Sequence, residues 1–481
     1  MGEKKSAPRG KSGHGGKRRG RGVPKTLQVV NPDAAGIDIG AESHYVSVPE
    51  DRSTEPVRQF GCYTPQLEEM AEWLLECGVK TVVMEATGVY WIPVFRVLES
   101  RGLEVLLVNP KHVKHVPGRK SDVADCQWLR QLHTFGLLRG AFVPPQDVAA
   151  MRTYWRQRRT LVEAASREIL HMQKALTQMN LHLHVVLSDV TGVSGMKILR
   201  AIVAGEHDPV QLASLAGTQV RASREEIAQA LSGHYTGEHL FVLGQALELF
   251  DVFQAKIRDC DGQLAIHLSR FEGKAGAGAP PSNPKRSRRV SRRKNEPYFD
   301  LRAELWRLTG VDFSRIDGID SLTAFTVLSE TGFDVSAFAT EHHYASWMGL
   351  CPNNSITGGR VKRRHTRRVI NRAADALRVA AQSLWRSKSY LGAYYRRLAA
   401  RMGAPKAITA TAHKLACIMY RAVKYGQQYV DKGEQYLEDQ HRKRNLKSLV
   451  HRAKELGYML VHSETGECLP LTNQPLTPCV S

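Results

Sequence analysis

A change of hydrophobic period near residue 146 divides this chain into two kinds of structure. Beyond it, apolar or small residues recur at Val148, Met151, Trp155, Val162, Ala165, Ile169, Met172, Leu176 and Met179, and only Arg158 breaks the frame. Spacings of three and four sustained over about five heptads predict one long helix with a continuous seam. The seam is read as a coiled coil joining two molecules, because little nearby would cover so long a stripe. The alternative is a core helix packed inside one chain. Helical patterns then continue to residue 271, which makes 146–271 a helical coiled-coil segment.

Residues 27–145 follow a different rule. "AGIDIG" and "HYVSVP" alternate as two strands, and "VKTVVMEA" and "LEVLLVNP" are apolar, β-branched strands. "TPQLEEMAEWLLECG" reads as a helix with Thr64 as N-cap, Pro65 at the first position and Gly78 after its end. "GVYWIPVFRVLESRG" reads as a second helix. Strands alternating with helices predict a three-layer α/β domain.

Within the first strand, Ile37 and Ile39 share one face, and Asp38 shares the other with Gly36 and Gly40. Aspartate is a poor strand former and its charge is costly inside a sheet. The glycines leave room for a ligand or a backbone to approach that face.

The rest of the chain reads by composition. Residues 1–26 carry nine Lys or Arg against one Glu and many glycines, the pattern of a disordered basic arm. Residues 272–299 are a basic flexible linker, residues 300–430 a C-terminal domain, and residues 431–481 a tail. "RIDGIDSLTAFTVLSETG" has the shape of a helix-hairpin-helix, whose backbone N–H groups could face a phosphate. Asp320 stands where a second glycine is expected, so an ordinary helix pair fits as well. "APKAITATAHKLACIMYRAVKYG" reads as an amphipathic helix on which Lys406, His413 and Lys414 add phosphate contacts.

The 68 Lys and Arg against 47 Asp and Glu leave a formal charge of +21, which points to a polyanionic partner, nucleic acid first. No apolar run reaches the roughly 20 residues of a membrane span. The eight cysteines form no C-x-x-C pair, which argues against a disulfide framework or a zinc site and fits a cytoplasmic protein.

Four carboxylates then stand out. Asp38 is the first, and Glu85 closes a buried strand, where ligands of open α/β sheets gather. Asp122 and Asp125 lie three apart at the start of a helix and share a face; capping and the helix dipole are their structural explanation. Together the four could hold two Mg²⁺ ions, whose hard charge suits oxygen ligands and phosphodiester cleavage. Lys111, Lys114, Arg119 and Lys120 precede the last two acids and suit a phosphate backbone. His112 and His115 lie among them without a matching third ligand, so they are read as phosphate contacts or loop residues.

"GIDIGAESHYVSV", "VVMEATGVYW" and "VNPKHVKHVPGRKSDVADCQWLRQL" resemble the DEDD motifs of the bacterial transposases of the insertion sequence 110 family. "IDGIDSLTAFTVLSETG" and "YASWMGLCPNNSITGGRVKRRHTRRVINRAADALRVAA" resemble that family's second block. The resemblance implies an RNase H-like, RuvC-like catalytic domain in which Asp38, Glu85, Asp122 and Asp125 are the DEDD quartet. It implies a serine nucleophile at or just before a Gly-Gly in the C-terminal transposase domain. Here Thr357 directly precedes Gly358-Gly359 and Ser355 lies two residues upstream, so either hydroxyl fills the role, Ser355 by its chemistry and Thr357 by its position. Around them Arg360, Lys362, Arg363, Arg364, Arg367 and Arg368 supply positive charge, together with His365. A basic surface helix gripping DNA without chemistry is the other explanation of that run.

The resemblance further implies site-specific excision and insertion of DNA through junction-like intermediates by a dimer or tetramer, in the bacterial cytoplasm at the nucleoid. Some members of that family use a guide RNA from their own element, and the charge of this chain is compatible with one. The leading expectation is therefore a Mg²⁺-dependent DNA recombinase of a mobile element. The alternatives are a Holliday-junction-type nuclease without a covalent intermediate and a binding protein that has lost its chemistry.

Overall fold

The structure, a computed structural model, describes residues 28–110, 121–274, 278–281, 295–363, 366, 369–463 and 466. The expectations for the basic arm, for Lys111, His112, Lys114, His115, Arg119 and Lys120, for the charged part of the linker and for the end of the tail lie outside those residues. The chain divides into two compact units, one ending at Val143 and the other beginning at Pro144.

In the first unit, β1 (Ala34–Ile39), β2 (Ser43–Ser47), β3 (Val57–Gly61), β4 (Thr81–Glu85) and β5 (Glu104–Val108) form one sheet in the order β3-β2-β1-β4-β5. β2 pairs antiparallel with both β1 and β3, whereas β4 pairs parallel with both β1 and β5. The parallel connections pass through α1 (Thr64–Glu76) and α2 (Trp91–Ser100), and α3 (Asp122–Thr134) follows β5. Ile37, Ile39, Val82, Met84 and Leu107 pack in one core with Leu67, Met70, Leu74, Val94 and Leu98 of α1 and α2. Val83 and Val108 pack with Leu129 of α3 in another. Strand side chains alternate, so these cores lie on opposite faces and the expected three layers are present.

Two local expectations need correction. Tyr63 is the N-cap of α1 and offers no side-chain bond, while Thr64 is the first helical residue, followed by Pro65. β3 was not legible, because "VRQFG" alternates poorly and only Phe60 is buried in it. Gly78, after α1, does adopt the left-handed conformation expected there, with φ of 68°.

Among its described residues the second unit is helical, with one small hairpin. Its long elements are α4 (Gln146–Gln178), α5 (Val193–Val203), α6 (Gly237–Leu268), α7 (Leu301–Thr309) and α8 (Ser321–Thr331). After them come α9 (Glu341–Trp347), the hairpin of β6 (Ser355–Thr357) and β7 (Arg360–Arg363), α10 (Arg372–Ser383), α11 (Tyr390–Met402), α12 (Ala404–Tyr425) and α13 (Gln427–Glu455). The expected tail therefore begins inside a helix.

The long helix is present, but its stripe is covered by its own chain. Ala165, Met172, Leu176 and Met179 are buried with Ile198, Leu199, Ile202, Leu243, Leu247 and Phe250 of α5 and α6. α4 and α6 are antiparallel, since Asp147 at the start of one accepts a hydrogen bond from His267 at the end of the other, 2.8 Å away. The first turns face α8: the Trp155 ring meets Phe325 edge to face at 4.7 Å and donates to the Thr326 hydroxyl at 3.2 Å. Arg158, the break in the pattern, is 4% exposed and reaches buried Asp261 of α6, with Nε to Oδ1 at 2.5 Å. A stripe already filled in this way is the core helix of the alternative reading, not a free seam.

The same contacts join the helical segment to the expected C-terminal domain. The Arg156 guanidinium donates twice to buried Glu330 of α8, at 2.9 and 2.6 Å. The helix-hairpin-helix resemblance resolves into ordinary packing. Asp320 is the N-cap of α8 and accepts from the Thr323 N–H at 2.8 Å. Gly318, at φ of 84°, turns the side where a Cβ would stand onto Leu384 and the Ala380 carbonyl.

Candidate active site

Pairing of Ile37 with Met84 places Asp38 and Glu85 side by side at the carboxyl ends of two parallel strands. Alternation puts both on the face that α3 covers. β2 brings Tyr45 opposite Asp38 on the same face, a neighbour that sequence reasoning had not singled out.

α3 runs antiparallel to β1. Its last residue, Thr134, accepts from the backbone N–H groups of Val30 and Asn31, just before β1, at 2.9 and 3.0 Å. Its first turn therefore lies toward the Asp38 end. Ser121 caps the helix by accepting from the Ala124 N–H at 3.2 Å. Asp122 and Asp125 follow in the first turn, on one side of the helix, where the dipole favours negative charge. At the far end, the Thr81 hydroxyl and His133 Nε2 are 2.9 Å apart, and burial holds that imidazole below its ordinary pKa. Arg130 donates to the Ser47 hydroxyl at 3.1 Å.

The glycines beside Asp38 make this packing possible. A methyl group on Gly36 would collide with the Cys126 carbonyl and lie 2.5 Å from the Arg130 nitrogen. A methyl on Gly40 would collide with the Ser43 carbonyl. The open space expected around Asp38 is thus filled by this chain's own backbone. Cys126 sits close enough that burial, with the Asp38 charge adding to it, pushes its thiol up to about 12.

Asp38, Glu85 and Asp125 are half-buried and Asp122 is exposed. No three of these carboxylates bring ligand oxygens within 4.8 Å of one another. They share one end of one face without forming a closed cage. Four carboxylates on three elements offer the oxygen ligands that Mg²⁺ prefers.

Ser355 and Thr357 lie in the second unit, both exposed on the short strand β6. Thr357 pairs with Arg360 across a two-residue turn, in which Gly358 and Gly359 have φ of 57° and 74°. Positive φ at both centres is the geometry of a type I′ hairpin, so the Gly-Gly pair has a structural cause. Arg360 and Lys362 project from exposed β7, and the helix expected for this basic run begins only at Arg372. Arg364, His365, Arg367 and Arg368 lie outside the described residues, as does the Arg363 side chain. Lys406 and Lys414 ride on α12, but His413 is half-buried against His342, with ring centroids 5.9 Å apart.

No curated protein matches the chain. Residues 35–181 match the family model of the DEDD transposase of IS110, and residues 312–396 match that of the transposase IS116/IS110/IS902 family. The first match spans all four acids and the second spans the hairpin with Ser355 and Thr357. Two matches in this order make the chain a member of the IS110 transposase family, with a DEDD N-terminal domain and DNA as its substrate.

Proposed function

We propose that this transposase is a Mg²⁺-dependent recombinase that cuts and rejoins the DNA of its element with Asp38, Glu85, Asp122 and Asp125 and a C-terminal hydroxyl nucleophile. The observation that carries the reading is the shared face: adjacent parallel strand ends present Asp38 and Glu85, and Gly36 admits the helix that brings Asp122 and Asp125. The strand order, with three antiparallel strands followed by two parallel ones, supports an RNase H-like fold for the first unit. Mg²⁺ bound by these carboxylates would supply activation of an oxygen nucleophile and neutralisation of charge on the leaving oxygen.

The carboxylates hold and orient that charge. Asp38 and Glu85 are set by the sheet, so their spacing follows from strand pairing, whereas Asp122 and Asp125 follow the position of α3. Ser355 is our choice of nucleophile. Its primary hydroxyl is less hindered than that of Thr357, which pairs with Arg360 at the turn. Attack by the serine oxygen on phosphorus would form a phosphodiester between serine and the DNA and break the bond to a sugar oxygen, which takes up the proton that the serine gives up. Arg360 and Lys362 stand on the neighbouring strand to offset transition-state charge. Assembly as a dimer or tetramer and use of a guide RNA belong to the same reading, supported by the charge of +21 and the family.

The test is mass spectrometry of the full chain trapped on DNA containing its element's ends, with Mg²⁺ and with RNA transcribed from those ends. A nucleotide adduct on Ser355, absent in Asp38→Asn, is the expected result. An adduct on Thr357 would move the nucleophile. Cleavage without an adduct, lost in Asp38→Asn, would replace this reading by a metal-dependent nuclease.

A further inference from the structure

α9 and α12 bring a second set of ligand-type side chains together, remote in sequence from the acids. His342, His413 and Cys417 each offer a ligand atom, and the three atoms lie within 4.8 Å of one another, the only such group of three or more His, Cys, Asp or Glu among the described residues. His413 and Cys417 are one turn apart on α12, with Nδ1 and Sγ 3.9 Å apart. His342, in the first turn of α9, stacks its ring on His413 at an interplanar angle of 20°. A thiol–imidazole contact accounts for Cys417 and His413, but it gives no reason for a second imidazole at the same point.

The neighbouring contacts hold the three in place. Glu341, adjacent to His342, is ion-paired with Arg421 of α12, four residues beyond Cys417. The Tyr344 and Tyr420 rings meet at 5.7 Å, and the Tyr420 hydroxyl donates to the Phe338 carbonyl at 2.8 Å. Cys351 comes near, its thiol donating to the His342 backbone carbonyl at 3.6 Å, but its sulfur lies outside the group of atoms within 4.8 Å of one another. Two imidazoles and two thiols are the donor set of a tetrahedral structural zinc site, and sulfur selects against Mg²⁺. An N–S edge of such a tetrahedron is about 3.5 Å from the usual bond lengths, close to the observed 3.9 Å.

We propose that His342, His413 and Cys417 bind one Zn²⁺ that ties α9 onto α12, with Cys351, from the segment leading to β6, closing in as the fourth ligand. On binding, the thiols lose their protons to solvent and the imidazoles coordinate through neutral nitrogens; no electron is transferred. Cys351 lies four residues before Ser355, so the ion would fix the root of the hairpin. The zinc site stands whether or not the hairpin carries the nucleophile.

The full-length protein, incubated with ZnCl₂ and desalted, is assayed for metal by plasma mass spectrometry, and a Co²⁺-loaded sample is read for thiolate-to-cobalt charge transfer. The expected result is about one zinc per chain and an intense charge-transfer band. Zinc falls to background in His342→Ala and in Cys417→Ser, is weakened in Cys351→Ser and is kept in Asp38→Asn. His342 is exposed, so its variant keeps the fold and decides the matter if Cys417→Ser does not fold. A wild-type chain without zinc, zinc retained in His342→Ala, or zinc lost only in Asp38→Asn would overturn the proposal.

Discussion

Gly36 of β1 and Arg130 of α3 touch through their backbones: a methyl group on the glycine would stand 2.5 Å from the arginine nitrogen. This approach sets how deeply α3 seats on the Asp38 face, and so where Asp122 and Asp125 lie. Gly36→Ala is expected to push the helix outward and to cost about 1–3 kcal/mol, as overpacking does. Its cleavage activity should fall far more than its population of folded protein at assay temperature. Denaturant midpoints and cleavage rates measured on one preparation check this, and an active Gly36→Ala would show that the helix need not seat so closely.

Arg158 and Asp261 form a buried ion pair between the two long helices, and the Arg158 guanidinium also lies 5.3 Å from the Trp155 ring centroid. Removing one partner leaves the other buried and uncompensated. Asp261→Ala should therefore destabilise the second unit by about 3–5 kcal/mol, while the joint Arg158→Met, Asp261→Leu exchange should recover most of the loss. Urea unfolding of the full chain, followed by tryptophan fluorescence, reads both.

How much of this was legible in the sequence follows from the range of each signal. Alternation of side chains is a local property, so the face of Asp38 and the strand-end position of Glu85 could be read directly. The heptad stripe of α4 was equally local, but a periodic pattern does not say what covers it. The residue that interrupts the stripe, Arg158, is explained by Asp261, 103 positions away. The role of Gly36 was half legible, as a site of close approach without the identity of what approaches. The His342, His413 and Cys417 group has no short spacing beyond its i, i+4 pair, so motif reasoning, tuned to C-x-x-C, passed over it. For the Gly358-Gly359 pair, a hairpin turn and a phosphate-binding loop leave the same two letters.

Asp312, which caps the short helical turn Phe313–Arg315, is buried. Burial disfavours its charge, yet the Arg302 guanidinium, with Nε 3.1 Å away, and the Ser314 hydroxyl outweigh that and hold the carboxyl below its ordinary pKa. A carboxyl depressed in the folded state adds stability above its unfolded pKa of about 3.9 and loses it as pH falls through the folded value. Acid unfolding of the second unit should begin below about pH 4 with a contribution from this group. Asp312→Asn should lower stability at neutral pH and flatten the acid limb. A variant with the wild-type pH slope in circular dichroism would remove Asp312 from the account.

The turn of the β6–β7 hairpin separates a structural from a chemical role for the residues around Ser355. Gly358 and Gly359 both sit at positive φ, and a methyl group on either would meet nothing within 4 Å. Substitution by alanine therefore acts through backbone strain alone, on the order of 1 kcal/mol at each position. Among the described residues the hairpin pairs with no further strand, so the strain should loosen it locally and leave the melting temperature of the second unit nearly unchanged. If the hairpin positions Ser355 for attack, the Gly358→Ala, Gly359→Ala double variant should form the DNA adduct several-fold more slowly, while Gly358→Asn, with a residue that tolerates left-handed backbone, should recover most of the rate. Equal rates in all three would mean that the nucleophile does not depend on the turn.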